Sequence, residues 1–244
     1  MSELRLKYSF ANALIFIILL WVIKLWEWSL DTSFGYYGIF PHSLIGLRGL
    51  LFAPLIHGDG YHLFNNSVAA LFFLWTLFYF FPKEWLKIFL ISYFVPNIFV
   101  WFLGRPAYHI GFSGVIFSLA FFEFLVGILA KSRQLMAISL IIVFLYGSLV
   151  WQIFPTNEAI SWESHLFGAL TGVLLAFVYY KKYSKKEDKI AESYYKSRSI
   201  SFVSTKFYSP IHTAIISYSQ VTQSTEIKFY VSDNFFYKFK PSKK

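Results

Sequence analysis

The stretch His109-Ile110-Gly111-Phe112-Ser113-Gly114-Val115 stands at the mouth of an apolar run that continues to Ala130. A serine flanked by glycines is common; one at the first turn of an apolar helix is less so. Two other apolar runs carry polar side chains near their own beginnings, His62 with Asn66 in one and His165 in the other. The fold turns on whether these runs are membrane spans, and the function on whether their polar groups meet.

Composition answers the first question. Of 244 residues, 57% are hydrophobic and 14% charged, where a soluble domain carries about 25% charge. Mean hydropathy is +0.52. With apolar runs of about 20 residues, this is a polytopic, all-α membrane protein. The 17 Tyr and 8 Trp suit membrane interfaces, and the 30 Phe suit lipid-facing surface. The absence of cysteine excludes disulfides, thiolate nucleophiles and Cys-ligated zinc. The net charge of +9 is concentrated in the last part of the chain, where residues 182–244 hold 12 Lys/Arg and 5 Asp/Glu. Beside a membrane, such a basic tail reads as a cytoplasmic topology signal with affinity for anionic lipid rather than as a nucleic-acid arm.

Working outward from Ser113, six spans are predicted, over residues 11–30, 61–81, 85–103, 112–130, 135–154 and 162–180. The first has no small-x-small cleavage site and continues through Trp21, Trp26 and Trp28, so it is read as a span and not as a signal peptide. Lys24 and Glu27 lie three apart on one of its faces, where they can pair or face the protein interior. Residues 31–60 form a long connection rich in Gly, Tyr and Pro. Its apolar piece, residues 44–52, is too short to span and is expected to lie in the interface or dip partway in. Pro82-Lys83-Glu84, Gly104-Arg105-Pro106 and Lys131-Ser132-Arg133 separate the next spans, and Pro155-Thr156-Asn157-Glu158 opens a polar loop before the last. Asn97, after Pro96, is expected to repair a kinked backbone. Two parts result: a membrane domain over 1–183 and a basic tail over 184–244. The tail is expected to be mostly disordered, with a small hairpin over 225–240 as the alternative.

Orientation follows from the short loops. With the N-terminus inside, Arg5, Lys7, Lys83, Lys87, Lys131, Arg133, Lys181 and Lys182 fall on the inner side, and only Arg48 and Arg105 on the outer. Both termini are therefore expected in the cytoplasm of a multi-pass protein of the plasma (inner) membrane. Spans two, four and six then all run from outside to inside. At about 1.5 Å per residue, His62, Asn66, Ser113 and His165 lie within one or two turns of the outer boundary. Hydropathy alone does not require that coincidence.

The layer can do chemistry. A serine hydroxyl becomes a nucleophile when a base takes its proton, and a neutral histidine is the usual base near pH 7. Acyl transfer also builds charge on a carbonyl oxygen. Donors for it are available in the Asn66 amide, a His62 ring N–H and backbone N–H groups at a helix start. His62 and Asn66 are spaced i, i+4 and share a face. Gly111 and Gly114 allow a helix or a substrate backbone close to Ser113. No acidic residue stands obviously behind His165, so a dyad is expected rather than a triad. Each residue also has a plainer reading. Gly-x-Ser-Gly commonly serves helix packing, His165 could bridge helices, and His62 with Asn66 could reach headgroups. Glu123, mid-span, marks either an ion path or a hydrogen-bonded structural carboxyl; with Lys24 and Glu27 it is the basis of a transporter alternative. A metal set of His57, His62 and His165 is disfavoured, because no carboxylate shares their layer. No metal and no cofactor are expected.

Taken in order, His57-x4-His62-x3-Asn66, Gly111-Phe112-Ser113-Gly114 and His165-x2-Gly168-x3-Gly172 make the region from Arg48 to Tyr180 resemble a rhomboid intramembrane serine protease. The resemblance implies a six-transmembrane-helix rhomboid-like bundle with a large, partly embedded first loop. It implies that Ser113 is the nucleophile and His165 the base, and that His62, Asn66 and the Ser113 backbone N–H form the oxyanion site. Gly168 and Gly172 would let span six pack tightly on span four, and span five would be the lateral gate. Phe117 stands where the family often has a tyrosine stacked on the histidine. The family's Trp-Arg pair in the first loop is not evident, Arg48 being an approximate match. The implied partners are single-pass transmembrane substrates within a lipid bilayer, with no nucleic acid. The implied activity is endopeptidase cleavage near the extracytoplasmic face; a non-proteolytic binder or escort of transmembrane helices is the alternative.

Overall fold

A computed structural model of the chain describes residues 2–155 and 160–197, with side chains for 3–148, 150–155 and 160–184. The chain divides into two units, Met1–Tyr194 and Tyr195–Lys244, and the hydrophobic core of the described residues lies in the first. The tail hairpin expected over 225–240 lies outside the described residues. Among the described residues the architecture is helical: α1 (Ser2–Ser29), α2 (Gly49–Phe52), α3 (Gly60–Phe80), α4 (Trp85–Leu103), α5 (Ser113–Ala130), α6 (Arg133–Tyr146) and α7 (Trp162–Ser197), joined by 3-10 turns. Five of these helices are long and apolar enough to cross a membrane: α1, α3, α4, α5 and the Trp162–Ser184 part of α7.

Local chemistry sets the helix ends. The Asp59 carboxylate caps α3 by accepting from the His62 N–H at 2.7 Å, and this bond holds the Asp59 carboxyl below its usual pKa. Lys131 closes α5 in the left-handed region at φ +54. The Ser132 hydroxyl starts α6 by accepting from Leu135 N–H. Pro96 sits inside α4. The Asn97 amide beside it donates to Tyr93 O at 2.9 Å and to Leu50 O at 3.4 Å, so it ties α4 to the first loop as well as to its own helix.

α5 is the central helix. It packs on α3, α4 and α6, and 72% of its span is buried, against 28% for α1 and 33% for α4. Phe73, Leu74, Leu77, Leu119 and Phe122 form the fully buried centre between α3 and α5. Charged residues at the turn near Lys83 close the opposite end from Ser113: Glu84 accepts from Lys182 and from the Tyr183 hydroxyl, fixing α7 to the α3–α4 turn. α7 continues as helix beyond Tyr183, where the composition turns polar.

The run expected to be a continuous fifth span is broken. α6 ends at Tyr146 after 14 residues, about 21 Å of rise, short of the ~30 Å hydrocarbon core. At Tyr146 the backbone leaves the helical region (φ −127, ψ 6), and Gly147–Ile153 continues as a tighter 3-10 segment. The Gly147-Ser148 pair that follows has poor helix propensity.

The first loop is closed on itself by two glycines. A Cβ at Gly46 would fall 2.1 Å from Phe40 O, and one at Gly49 2.2 Å from Ile39 N. Ile39 and His109 exchange backbone hydrogen bonds at 2.8 and 3.0 Å. The loop is thereby fastened to the segment that leads into Ser113.

Candidate active site

Ser113 is the first residue of α5, and the turn before it is locked from three sides. Gly111 adopts φ +109, where an L side chain is strained, and a Cβ there would also sit 2.9 Å from the His62 ring. Its N–H donates to Ala53 O in the first loop at 2.9 Å. The Phe112 N–H donates to His57 Nε2 at 3.4 Å. His57 is 2% exposed, and burial pushes its pKa down to about 3, helped by the neighbouring His62 and Lys24. His57 is therefore a neutral acceptor at physiological pH.

Ser113 and His165 meet. The hydroxyl lies 2.8 Å from His165 Nε2, and His165 Nδ1 lies 3.0 Å from the Gln152 carbonyl. A carbonyl only accepts, so Nδ1 carries the hydrogen, and Nε2 presents its lone pair to the Ser113 O–H. The His165 ring stacks on Phe117 at 4.2 Å and 4°; the ring survives the loss of the hydroxyl noted in the sequence. His165 is 3% exposed.

Glycines set that distance. A Cβ at Gly168 would fall 2.2 Å from Gly114 O, one at Gly172 2.2 Å from Ser118 O, and one at Gly114 3.2 Å from Ser164 O. α5 and α7 thus touch backbone to backbone, which only small residues allow. Ser118 also donates to Ser92 in α4 at 2.8 Å.

His62 and Asn66 lie beside the Gly111 turn. An added Gly111 Cβ would stand 3.0 Å from His62 Nε2 and 3.6 Å from Asn66 Nδ2. Asn66 Nδ2 is buried and has no partner. A buried donor without a partner costs free energy unless something transient accepts from it. The Ser113 and Gly114 N–H groups, at the first turn of α5, fall outside the intrahelical ladder. Donors thus line the turn that leads into the serine, and His165 contacts its hydroxyl.

Several supporting groups escaped the sequence reading. The Gln152 carbonyl has no side-chain signal at all. Lys24 and Glu27, whose spacing lets them pair or face the interior, do both: they pair at 2.8 Å and each is 4% exposed. Their further contacts were not foreseen: Lys24 donates to the carbonyls of His57 and Gly58 at 2.9 and 3.1 Å, and Glu27 accepts from Phe34 N–H at 2.9 Å. The pair clamps both ends of the first loop. Behind the serine turn, His109 contacts the Ser161 hydroxyl at 2.6 Å, Ser161 contacts Ser164 at 2.7 Å, and Glu163 lies 3.4 Å from the Arg105 guanidinium. Burial lowers the His109 pKa, although the Arg105 carbonyl and Glu163 pull the other way. Glu123 is 1% exposed and lies 2.6 Å from the Thr76 hydroxyl. Among the described residues, no three His, Cys, Asp or Glu form a group that could hold a metal ion.

Residues 46–182 match the family model of the rhomboid domain. An uncharacterized protein of Mycobacterium bovis and one of Mycobacterium tuberculosis are each 30% identical over 176 residues, covering 68% of this chain and 72% of the relative. An uncharacterized protein of Mycobacterium leprae is 26% identical over 185 residues, covering 72% and 73%. The domain and the apolar helices make this an integral membrane protein, and the family is in general one of intramembrane serine proteases acting on transmembrane substrates. The chain belongs to the rhomboid family.

Proposed function

We propose that the protein is an intramembrane serine endopeptidase with Ser113 as nucleophile and His165 as general base. The observation that carries this reading is the 2.8 Å contact between Ser113 Oγ and a His165 Nε2 whose other nitrogen is occupied by a carbonyl. His165 takes the proton from Ser113 as its oxygen attacks a peptide carbonyl. Negative charge builds on the former carbonyl oxygen, and the His62 ring, the Asn66 amide and the Ser113 N–H donate to it. The tetrahedral intermediate collapses by expelling the amine, which receives the proton from His165. Water, deprotonated by the same histidine, then hydrolyses the acyl-enzyme and restores Ser113.

In this reading the membrane domain covers 1–183 and crosses the bilayer six times, α6 with its 3-10 extension being the fifth crossing and the lateral gate. The first loop is partly embedded. Both termini and the 184–244 tail are cytoplasmic, so the cut falls near the extracytoplasmic face of the plasma membrane. The substrate is a single-pass protein whose helix must unwind at the cut, since a closed helix hides its carbonyls.

The test is cleavage of single-pass reporters by purified protein reconstituted in lipid. Wild type should cut, and Ser113→Ala should cut at least roughly a thousandfold more slowly with the fold intact. A serine-reactive fluorophosphonate should label wild type and not the variant. If wild type neither cuts a panel of reporters nor takes the label, the protease reading falls and a helix-binding role replaces it.

A further inference from the structure

A groove of about 830 Å³ lies between α1, the end of α3 and the start of α4, at the opposite end of α3 from His62 and Asn66. Its α1 wall is a single helix face, with residues 5, 8, 9, 12, 15, 16 and 19 recurring at the three- and four-residue spacing of one stripe. The stripe changes character along its length. Arg5, Tyr8, Ser9 and Asn12 are polar; Ile15, Phe16 and Leu19 are apolar. Trp85, a residue type that favours the membrane interface, stands on the opposite wall near the polar end.

The dimensions fit one leaflet. Ser9 and Leu19 are ten residues apart, about 15 Å along α1, half of the ~30 Å hydrocarbon thickness. In its apolar part the groove is walled by Phe16, whose ring meets Phe89 at 5.7 Å and Phe112 at 4.9 Å. The polar end is positively charged. Arg5 donates to Tyr79 O and lies over the Tyr79 ring at 5.1 Å, while its buried Nε has no partner. The carboxylates near this end are engaged: Glu84 holds Lys182 and Tyr183, and Glu3 holds Lys7 at 2.8 Å.

We propose that this groove is a binding site for an anionic glycerophospholipid, with the headgroup phosphate against Arg5, Ser9 and Asn12 and one acyl chain along Ile15, Phe16, Leu19 and Phe89. A cationic mouth rejects the chain's own basic tail and gains nothing from an apolar peptide, whereas a phosphate over a leaflet-deep apolar channel matches both ends. The site is separate from Ser113 and does not depend on the protease reading.

The test uses the full chain, equilibrated in vesicles of equal phosphatidylglycerol and phosphatidylcholine and then released into mild detergent for native mass spectrometry. Wild type should retain phosphatidylglycerol in preference to phosphatidylcholine. Arg5→Gln should reduce that preference roughly fivefold, the size of one basic residue's effect at an anionic surface, and Arg5→Lys should keep most of it. Equal thermal unfolding of the three proteins would exclude misfolding. A phosphatidylglycerol with a photoreactive group near its chain terminus should label the peptides around Leu19 and Phe89. A wild type without headgroup preference, a preference untouched in Arg5→Gln, or labelling spread evenly over all helices would each overturn the proposal.

Discussion

α5 meets two of its neighbours in opposite ways. Against α7 the contact is backbone to backbone along three glycines, Gly114, Gly168 and Gly172, and the Ser113–His165 contact lies at the top of that seam. Against α6 the close approach is made at one glycine: a Cβ at Gly127 would fall 1.9 Å from the hydroxyl of Ser139, halfway along α6, which itself donates to Phe124 O at 2.8 Å. Toward its far end α6 presents Val143, Phe144 and Leu145 outward, Phe144 with 87% of its surface exposed. One face of the same helix is therefore joined glycine by glycine along its length, while the other has a single such approach and continues through larger side chains, Ile142 buried and Tyr146 against Phe72 and Phe73. Chemistry tolerates little misplacement of reacting groups, and in the protease reading it sits on the α7 face.

The largest effect should come from separating the tight seam. Gly168→Ala adds a methyl 2.2 Å from the Gly114 carbonyl. Stability should fall by about 1–3 kcal/mol, and reporter cleavage should drop to the level of Ser113→Ala. If cleavage survives, the seam is not what sets the Ser113–His165 distance. Next comes Asn66→Ala, which leaves the seam alone and removes the unpartnered amide. Turnover should fall roughly tenfold to a thousandfold with KM little changed; an unchanged kcat would make Asn66 structural.

A smaller effect concerns the turn that leads into the seam. His57 is neutral in the fold, its pKa lowered from 6.5 to about 3 chiefly by burial. The unfolded chain binds a proton that the fold does not, so this contribution is full above pH 6.5 and is lost as pH falls from 6.5 toward 3. By pH 5 the loss is about 2 kcal/mol. His57→Gln should show a shallower fall in thermal stability between pH 7.5 and 5 than wild type does; parallel curves would remove His57 as the source. The smallest effect belongs to the outward side of α6. Phe144→Ala should change stability by less than ~0.5 kcal/mol without slowing cleavage. A large loss there would mean that the outer half of α6 packs as firmly as α7, and the contrast between the two faces would collapse.

Much of this molecule can be read without coordinates, for a physical reason. Spans announce themselves because lipid demands long apolar runs, and glycines at Gly168 and Gly172 announce a close contact because no other residue permits one. Ser113, His165, His62 and Asn66 are visible because a polar side chain in such a run needs a purpose. The break at Gly147 is not visible in hydropathy, since Leu149, Val150, Trp151 and Ile153 continue the apolar pattern while the backbone tightens. Nor could the pairing of Lys24 with Glu27 indicate which carbonyls Lys24 would also reach, because its partners at His57 and Gly58 are backbone atoms more than 30 residues away. Side chains advertise themselves in sequence, and main-chain acceptors do not.

That distinction bears on how the protein withstands genetic change. A histidine oriented by a carboxylate can be disabled by one codon change that turns the acid into an amide. His165 is oriented by the oxygen of residue 152's peptide group, and every amino acid supplies the same oxygen. Substitution at Gln152 alone leaves the acceptor chemically intact. In the protease reading, inactivating lesions should therefore gather at Ser113, His165 and the glycines and spare position 152.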